Sequence, residues 1–362
     1  MTQGFVKNRK FRGLMAVDWW DRAGEVFQHN HPGIEFQKRD LFQRSEIAEV
    51  CDQLRLKCDV LLGGPPCQGF STLGIRREND RRSHLVDTFL DMALEISPKV
   101  IIMENVRGIT SKIHSSGASF ADFASSRLAN GHPKSGYNSR NILINTLDFG
   151  LAQTRKRWIL LAVRIDVDND GQVLDCLVQQ IESRKSKKHK TIRDVMGDLP
   201  MVDCGQGAEE LTYTVASTGV MKTVYNHRPM DHKPALRERL SHVRPGRGLP
   251  DVPRHLLTEH LKRMLDGKYG NGGHIKNIYG RMEWDQPSGT VVAGIDKITC
   301  GRFIHPEFNR LLTPRECARI QSFSDEFRFF GSLVSQYYLI GNAVPPKLAG
   351  VIAKSVQAAL ET

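Results

Sequence analysis

The chain has 362 residues, 40% of them hydrophobic and 25% charged, a composition that supports one large domain with a smaller second one and excludes a disordered chain. Its 51 basic and 40 acidic residues leave a formal net charge of +11, the balance of a protein that attracts polyanions. No apolar run is long enough for a bilayer, the opening MTQGFVKNRKFRGL lacks a signal-peptide core, and seven cysteines without a C-x-x-C pair speak against a disulfide framework or zinc site, so a soluble cytoplasmic protein is expected.

In chain order, LMAVDWW reads as a strand ending at Asp18 and Trp19, and DRAGEVFQHNHPG as a helix closing at Gly33. His29 and His31 stand two apart, a spacing at which helical side chains do not face each other, and no metal site is expected. DVLLGG is a second strand, LVDTFLDMALEI an amphipathic helix and KVIIMENV a third strand, while NILINTLDFG and RWILLAVR add further β structure. The alternation predicts an α/β fold, a doubly wound and mostly parallel sheet covered by helices, with ligands at the carboxyl ends of the strands.

The pattern stops near Asp166. A basic run, SRKSKKHK (Ser183 to Lys190), follows, and the chain is then irregular to about Ile298. LTPRECARIQSF restores a helix with Thr313 as N-cap and Pro314 in its first turn, and PPKLAGVIAKSVQAAL closes the chain with another. Residues 1–166 are therefore assigned to a first domain, 167–332 to an irregular second domain, and 333–362 to a segment that returns to the first.

Three strand ends carry chemistry. DVLLGGPPCQGFSTLG (Asp59 to Gly74) runs from a strand into a turn that presents Cys67. Pro65 and Pro66 stiffen the approach, and Gly63, Gly64 and Gly69 let backbone come close to a ligand. Cys51 and Cys58, by contrast, read as buried structural thiols. Glu104 and Asn105 stand where KVIIMENV stops, a carboxylate placed either as a solvated cap or in a cleft. In QTRKRW, alternation puts Gln153, Arg155 and Arg157 on one face as the chain enters the next strand, and arginines there need an anion or polar acceptor. Cysteine, carboxylic acid and arginine together suit covalent attack on an electron-poor ring.

The motifs GGPPCQGFS, ENV, QTRKR, RLLTPRECARIQSF and IGNAVPP, in that order, closely resemble those of the DNA (cytosine-5)-methyltransferases of bacterial type, from about Phe5 to the C-terminus. The resemblance implies a Rossmann-like fold that uses S-adenosylmethionine, with 167–332 as a target-recognition domain, acting on cytosine in a specific double-stranded DNA sequence. It implies Cys67 as the thiolate that adds to ring carbon 6, Glu104 as the acid at N3, Arg157 at the ring O2, and Arg155 steadying the loop and the sulfur. Asp18, Trp19, Asp40, Leu41, Pro65, Leu85, Asn342 and Val344 are the implied cofactor residues. STLGIRRENDRRSHL resembles the mobile loop that closes over a flipped base, which makes Gln68, Ser71, Arg76 and Arg82 implied DNA contacts; Thr290, in YGRMEWDQPSGTVV, is another. RPGRG (Arg244 to Gly248) and GKYGNGGHIKN (Gly267 to Asn277) are candidate groove loops.

A nucleoid-associated monomer, partnered by a restriction endonuclease system, is the expected setting. The family's Gly-rich opening, roughly D-L-F-x-G-x-G-G, has no counterpart before MTQGF, so the first strand is expected to be missing and cofactor binding weakened. A tRNA-methylating relative of the same fold and a non-catalytic DNA-binding fragment stay open as alternatives.

Overall fold

The structure, a computed structural model, describes residues 1–66, 84–131, 136–267 and 277–361. In chain order the strands are β1 (Met15–Asp18), β2 (Glu35–Lys38), β3 (Val60–Gly63), β4 (Val100–Val106), β5 (Tyr137–Asn145), β6 (Lys156–Arg164), β7 (Ala208–Thr214) and β8 (Met221–His227). The helices are α1 (Thr2–Val6), α2 (Asp21–Asn30), α3 (Arg44–Leu54), α4 (His84–Ile96), α5 (Phe120–Ala129), α6 (Gln172–Ser183), α7 (Ile192–Met196), α8 (Pro234–Ser241), α9 (Glu259–Leu265), α10 (Pro314–Ile320), α11 (Leu333–Asn342) and α12 (Pro346–Leu360). Among the described residues no helix is long and apolar enough to cross a membrane. The chain divides into two compact units: Met1–Phe149, Lys156–Ser186 and Pro346–Thr362 form the first, Gly150–Arg155 and Lys187–Pro345 the second.

The first unit is the α/β part. β1 pairs parallel with β2, and β3 parallel with β4, while β4 and β5 both pair antiparallel with β6, giving the order β3-β4-β6-β5. The strands thus form two separate sheets, and among the described residues no strand lies against the other edge of β1 or of β3. Buried β4 residues Ile101 and Met103 join Leu90 and Ala93 of α4, Ala124 and Leu128 of α5, and Trp158 and Leu160 of β6 in one apolar cluster. Such a near-continuous apolar strand is what burial on both faces demands. A smaller cluster of Val50, Cys51, Met92 and Ile96 has Met15, Val17 and Leu41 packed against it. α1 lies so close to α12 that a Cβ on Gly4 would come within 2.5 Å of the Ala349 methyl.

The structure departs from the sequence expectation in places. α2 stops at Asn30, with His31 rather than Gly33 closing it. α6 is a full helix beyond Asp166, burying Leu174, Leu177 and Ile181 on one stripe. Cys51 is buried, as expected, whereas Cys58 is half-buried and donates to the Val60 carbonyl; burial pushes their thiols up to about 12 and about 11.

Among the described residues the second unit has one sheet, the β7–β8 hairpin, and is held by an apolar cluster around Leu240, Leu249 and Ile304 together with buried polar groups. Arg310 and Glu316, fully buried, form a two-pronged ion pair at 2.8 and 2.9 Å. Glu316 also closes a capping box with Thr313 at the start of α10, where the sequence placed the N-cap. Burial pushes the Glu316 carboxyl up, but Arg310 outweighs it and holds the group at about 2. His305 is buried beside this pair and accepts backbone N–H bonds from Glu307 and Phe308 at Nδ1, so it is set as a neutral imidazole. Burial pulls its pKa down to about 4.

That shift has a sign that can be tested. The folded pKa lies below the unfolded value of about 6.5, so the unfolded chain takes the proton first. The stability that His305 contributes is full above pH 6.5 and is lost as the pH falls towards 4, while Glu316 stays ionised throughout. The urea midpoint should therefore drop between pH 7 and pH 4, with a shallower drop in His305→Gln. An equal slope in both proteins would remove His305 from the account.

Candidate active site

The antiparallel pairing of β4 with β6 creates the site. β6 runs against β4, so its amino end lies beside the carboxyl end of β4, with Val106 opposite Arg157 and Glu104 opposite Ile159. Arg157 is two residues from Ile159 and therefore shares the face of Glu104 as its diagonal neighbour. Their side chains, each 12% exposed, meet with Arg157 Nε 2.9 Å from Glu104 Oε1. A second prong of Arg157, Nη1, donates to the carbonyl of Lys156. An ion pair this sheltered is held in a low-dielectric place and is a strong local field.

The turn after β3 comes to the same strand end. Gly64 leaves open space, and a Cβ there would have Glu104 Oε2 as its neighbour at 4.0 Å. The buried amide of Asn105 donates to the carbonyl of Pro65 at 3.1 Å, tying the Gly-Pro turn to β4. At Gly63 a Cβ would overlap the Phe89 ring at 2.1 Å, so α4 packs directly on the strand end. Cys67, Gln68, Ser71, Arg76 and Arg82 lie outside the described residues, as does most of the loop proposed at Gly267 to Asn277.

A second group gathers at the carboxyl ends of β1 and β2. Asp18 ends β1 and accepts the Trp20 N–H through Oδ1 at 2.9 Å, while the Trp19 indole is 69% exposed. The Arg39 N–H donates to the Asp18 carbonyl and joins the two strand ends. Asp40 accepts the Phe42 N–H, donates its own N–H to Glu46, and is followed by Leu41 on the apolar cluster. Leu85 lies in the first turn of α4. Among the described residues no cluster of three metal-ligating side chains exists.

Other expected residues belong to the second unit. β6 begins at Lys156, so Gln153 and Arg155 precede the strand instead of lining its face with Arg157. Arg155, 2% exposed, donates to the carbonyls of Val291, Gly341 and Ala343. Gln153 joins this framework through Gln321 and the Val291 N–H. Thr290 donates its hydroxyl to the Thr154 carbonyl. Asn342 ends α11 exposed, and Val344 is buried just after it. Sequence reasoning placed Asn105 at the strand end but not on Pro65; the signal was an amide directly after the acid, at a position that burial forbids to stay unpaired.

A carboxylate, an arginine and a Gly-Pro turn assembled at the strand ends of an α/β sheet make a candidate strand-end site. The family profile described as C-5 cytosine-specific DNA methylase matches residues 1–358. The chain is 30% identical to Type II methyltransferase M.DdeI of Desulfomicrobium norvegicum, across 98% of this chain and 85% of that protein. It is 29% identical to Type II methyltransferase M1.HphI of Haemophilus parahaemolyticus, across 96% and 81%. A solved structure of a prophage-encoded DNA modification methyltransferase from E. coli has the same fold, with a TM-score of 0.71 at 21% identity over 100% of this chain and 96% of that one. The chain therefore belongs to the C-5 cytosine-specific DNA methylase family. It is an enzyme of the DNA (cytosine-5)-methyltransferase class.

The Asn105 contact is separable from the reacting groups. Asn105→Asp sets a carboxylate against the Pro65 carbonyl, two acceptors face to face in a buried place, and should cost about 1–3 kcal/mol of stability. Methylation turnover should fall with it, while DNA affinity stays within a few-fold. Unchanged unfolding and unchanged turnover would show that the Gly-Pro turn holds itself.

Proposed function

We propose that the protein methylates carbon 5 of a cytosine flipped out of a specific double-stranded DNA sequence, with Cys67 as a transient covalent nucleophile and S-adenosylmethionine as methyl donor. The observation that carries this reading is the Glu104–Arg157 pair, held at the strand end on which the turn before Cys67 is anchored. A stacked base cannot meet a thiolate approaching perpendicular to its ring, so the target must leave the helix.

The cytosine ring is electron-poor, and its carbon 5 becomes nucleophilic only when a nucleophile adds at carbon 6. The Cys67 thiolate forms the S–C6 bond and pushes an electron pair into the ring. Glu104, which takes up a proton as the base edge displaces its ion pair, is set to hold N3 and supply that proton there, so that negative charge does not accumulate, and to take it back when the sulfur leaves. Arg157 donates to the ring O2. The two side chains pair with each other in the free protein and are thereby kept in the orientation that the ring edge would meet. When bound, S-adenosylmethionine supplies an electrophilic methyl group, which carbon 5 takes up. A base then removes the carbon 5 proton, the C5–C6 double bond re-forms and the thiolate leaves.

The strand-end group in the first unit fits the adenosine part of that donor. The Asp18 carboxylate is exposed and fixed by the Trp20 amide, as a sugar-hydroxyl acceptor requires, and the exposed Trp19 indole offers a ring face. Asp40 and Leu41 would hold the adenine edge and face, and Leu85 and Pro65 are proposed beside them. Asn342, Val344 and Arg155 are proposed for the same reaction, and residues 167–332, Thr290 among them, are read as the target-recognition part. Gln68, Ser71, Arg76 and Arg82 are proposed phosphate or base contacts. The Type II names of its relatives support a place as the modification enzyme of a restriction–modification pair; a monomer in the cytoplasm is proposed with it.

A duplex carrying 5-fluorocytosine at the target tests the covalent step, because fluorine cannot leave as a proton does. The wild-type chain with S-adenosylmethionine should give a protein–DNA adduct that survives denaturation and maps to Cys67. Cys67→Ser should give none and should not turn over, while still binding the DNA. Turnover in the serine variant would end the assignment.

A further inference from the structure

In the second unit a short loop, Arg244-Pro-Gly-Arg-Gly248, carries two arginines that one carboxylate holds in place. The side chain of Asp251 is only 6% exposed, yet it accepts from Arg244 Nε at 3.1 Å and from Arg247 Nε at 3.2 Å. Both guanidinium groups remain largely outside, with side chains 74% and 58% exposed. The hold is through Nε in each case, which leaves the terminal nitrogens as the outward part of each fork.

The loop itself is fixed from beneath. The Gly246 N–H donates to the Arg281 carbonyl, and the Arg281 N–H donates to the Arg247 carbonyl. Arg281 is 4% exposed and spends its guanidinium on the carbonyls of Val243, Leu240, His305 and Phe308 and on Asn309. Arg302 Nη1 reaches the carbonyls of Arg247 and Arg281. Gly246 has φ +76°, and a Cβ there would meet the Glu283 carboxylate at 2.7 Å, so the turn favours glycine.

We propose that Arg244 and Arg247 read guanine edges in the major groove of the target DNA, with Asp251 as the residue that positions them. The inference rests on the reading of residues 167–332 as the part that recognises DNA. The charge arrangement favours base edges over phosphates. An arginine that serves a phosphate gains from a high local positive charge, and a buried carboxylate between two of them lowers it. What the carboxylate supplies is orientation, and orientation is what a bidentate contact to guanine O6 and N7 needs. Arginines serving only as charge would need neither a sheltered acceptor nor a rigid turn.

The test selects bound duplexes from a randomised pool with the full chain and sequences them. The wild-type pool should converge on a motif containing guanine. Arg244→Lys and Arg247→Lys keep the charge and lose the planar fork, and each should lose the preference for guanine at one position by about 5- to 150-fold. Their salt dependence should stay that of the wild type. Asp251→Asn adds one net positive charge, so it should bind random DNA more tightly at low salt while its guanine preference falls, a combination that a merely misfolded loop would not produce. An unchanged motif in both lysine variants overturns the inference and leaves the DNA-binding reading intact. A uniform loss of affinity with a shallower salt slope in the corresponding alanine variants, the motif again unchanged, makes the pair phosphate contacts and also overturns it. A wild-type pool with no motif at all overturns this inference together with the reading on which it rests.

Discussion

The arrangement of the active site depends on one register, that of β4 against β6. Val100 to Glu104 form a buried strand whose alternate residues face opposite ways, with Ile101 and Met103 on the α4–α5 cluster. Ile102 and Glu104 then share the other face, as do Leu161, Ile159 and Arg157 across the ladder. A slip of one residue would send Glu104 into the apolar cluster and break its pair with Arg157, so the same hydrophobic pattern that builds the core also fixes the pair proposed to act on the base. The antiparallel direction of β6 is equally necessary. A parallel strand would bring its carboxyl end, Ala162 to Arg164, to this place and carry the arginine away.

The second unit solves a different problem. It contains few ladder bonds, so many of its backbone carbonyls need partners from side chains. Buried arginines provide them: Arg155 takes three carbonyls, Arg281 four, and Arg315 takes those of Tyr225, Ser324 and Phe327. A guanidinium has five donors in a fixed plane, and this makes it a strut between loops that no helix or strand connects. The cost is desolvation, visible as an Arg315 pKa pulled down by burial to about 10. Arg310 is relieved of that cost by Glu316, which it meets in the same cap that starts α10.

Much of the first unit was legible in the sequence, because parallel strands buried on both faces write themselves as apolar runs ending in Gly, Pro or acid. VIIM before Glu104-Asn105 is of this kind, and VLLG before Gly64-Pro65-Pro66, only half-buried, ends in the same way; the strands fall there. The N-cap at Thr313 was legible for a local reason, a hydroxyl three residues before a glutamate. α6 was not, since it opens at Gly171 in the left-handed region with no side-chain cap and its stripe of Leu174, Leu177 and Ile181 stands between acidic and basic runs. The parting of Arg155 from Arg157 was hidden as well. Alternation predicts one face, but only where a strand exists, and β6 starts between them at Lys156. The role of Asp251 had no sequence signal beyond the nearby arginines, because the turn that sets Arg244 and Arg247 beside it is tied through the Gly246 and Arg247 backbone to Arg281, thirty residues further on.

The central claim is that Glu104 and Arg157 act as one unit on the base. A double-mutant cycle on single-turnover methylation, with Glu104→Gln, Arg157→Lys and the pair together, tests it most directly. The account predicts that the double variant is about as slow as the slower single one, since either change already disables the shared contact. Rate losses that multiply in the double variant would mean that the two side chains act independently, and would contradict it.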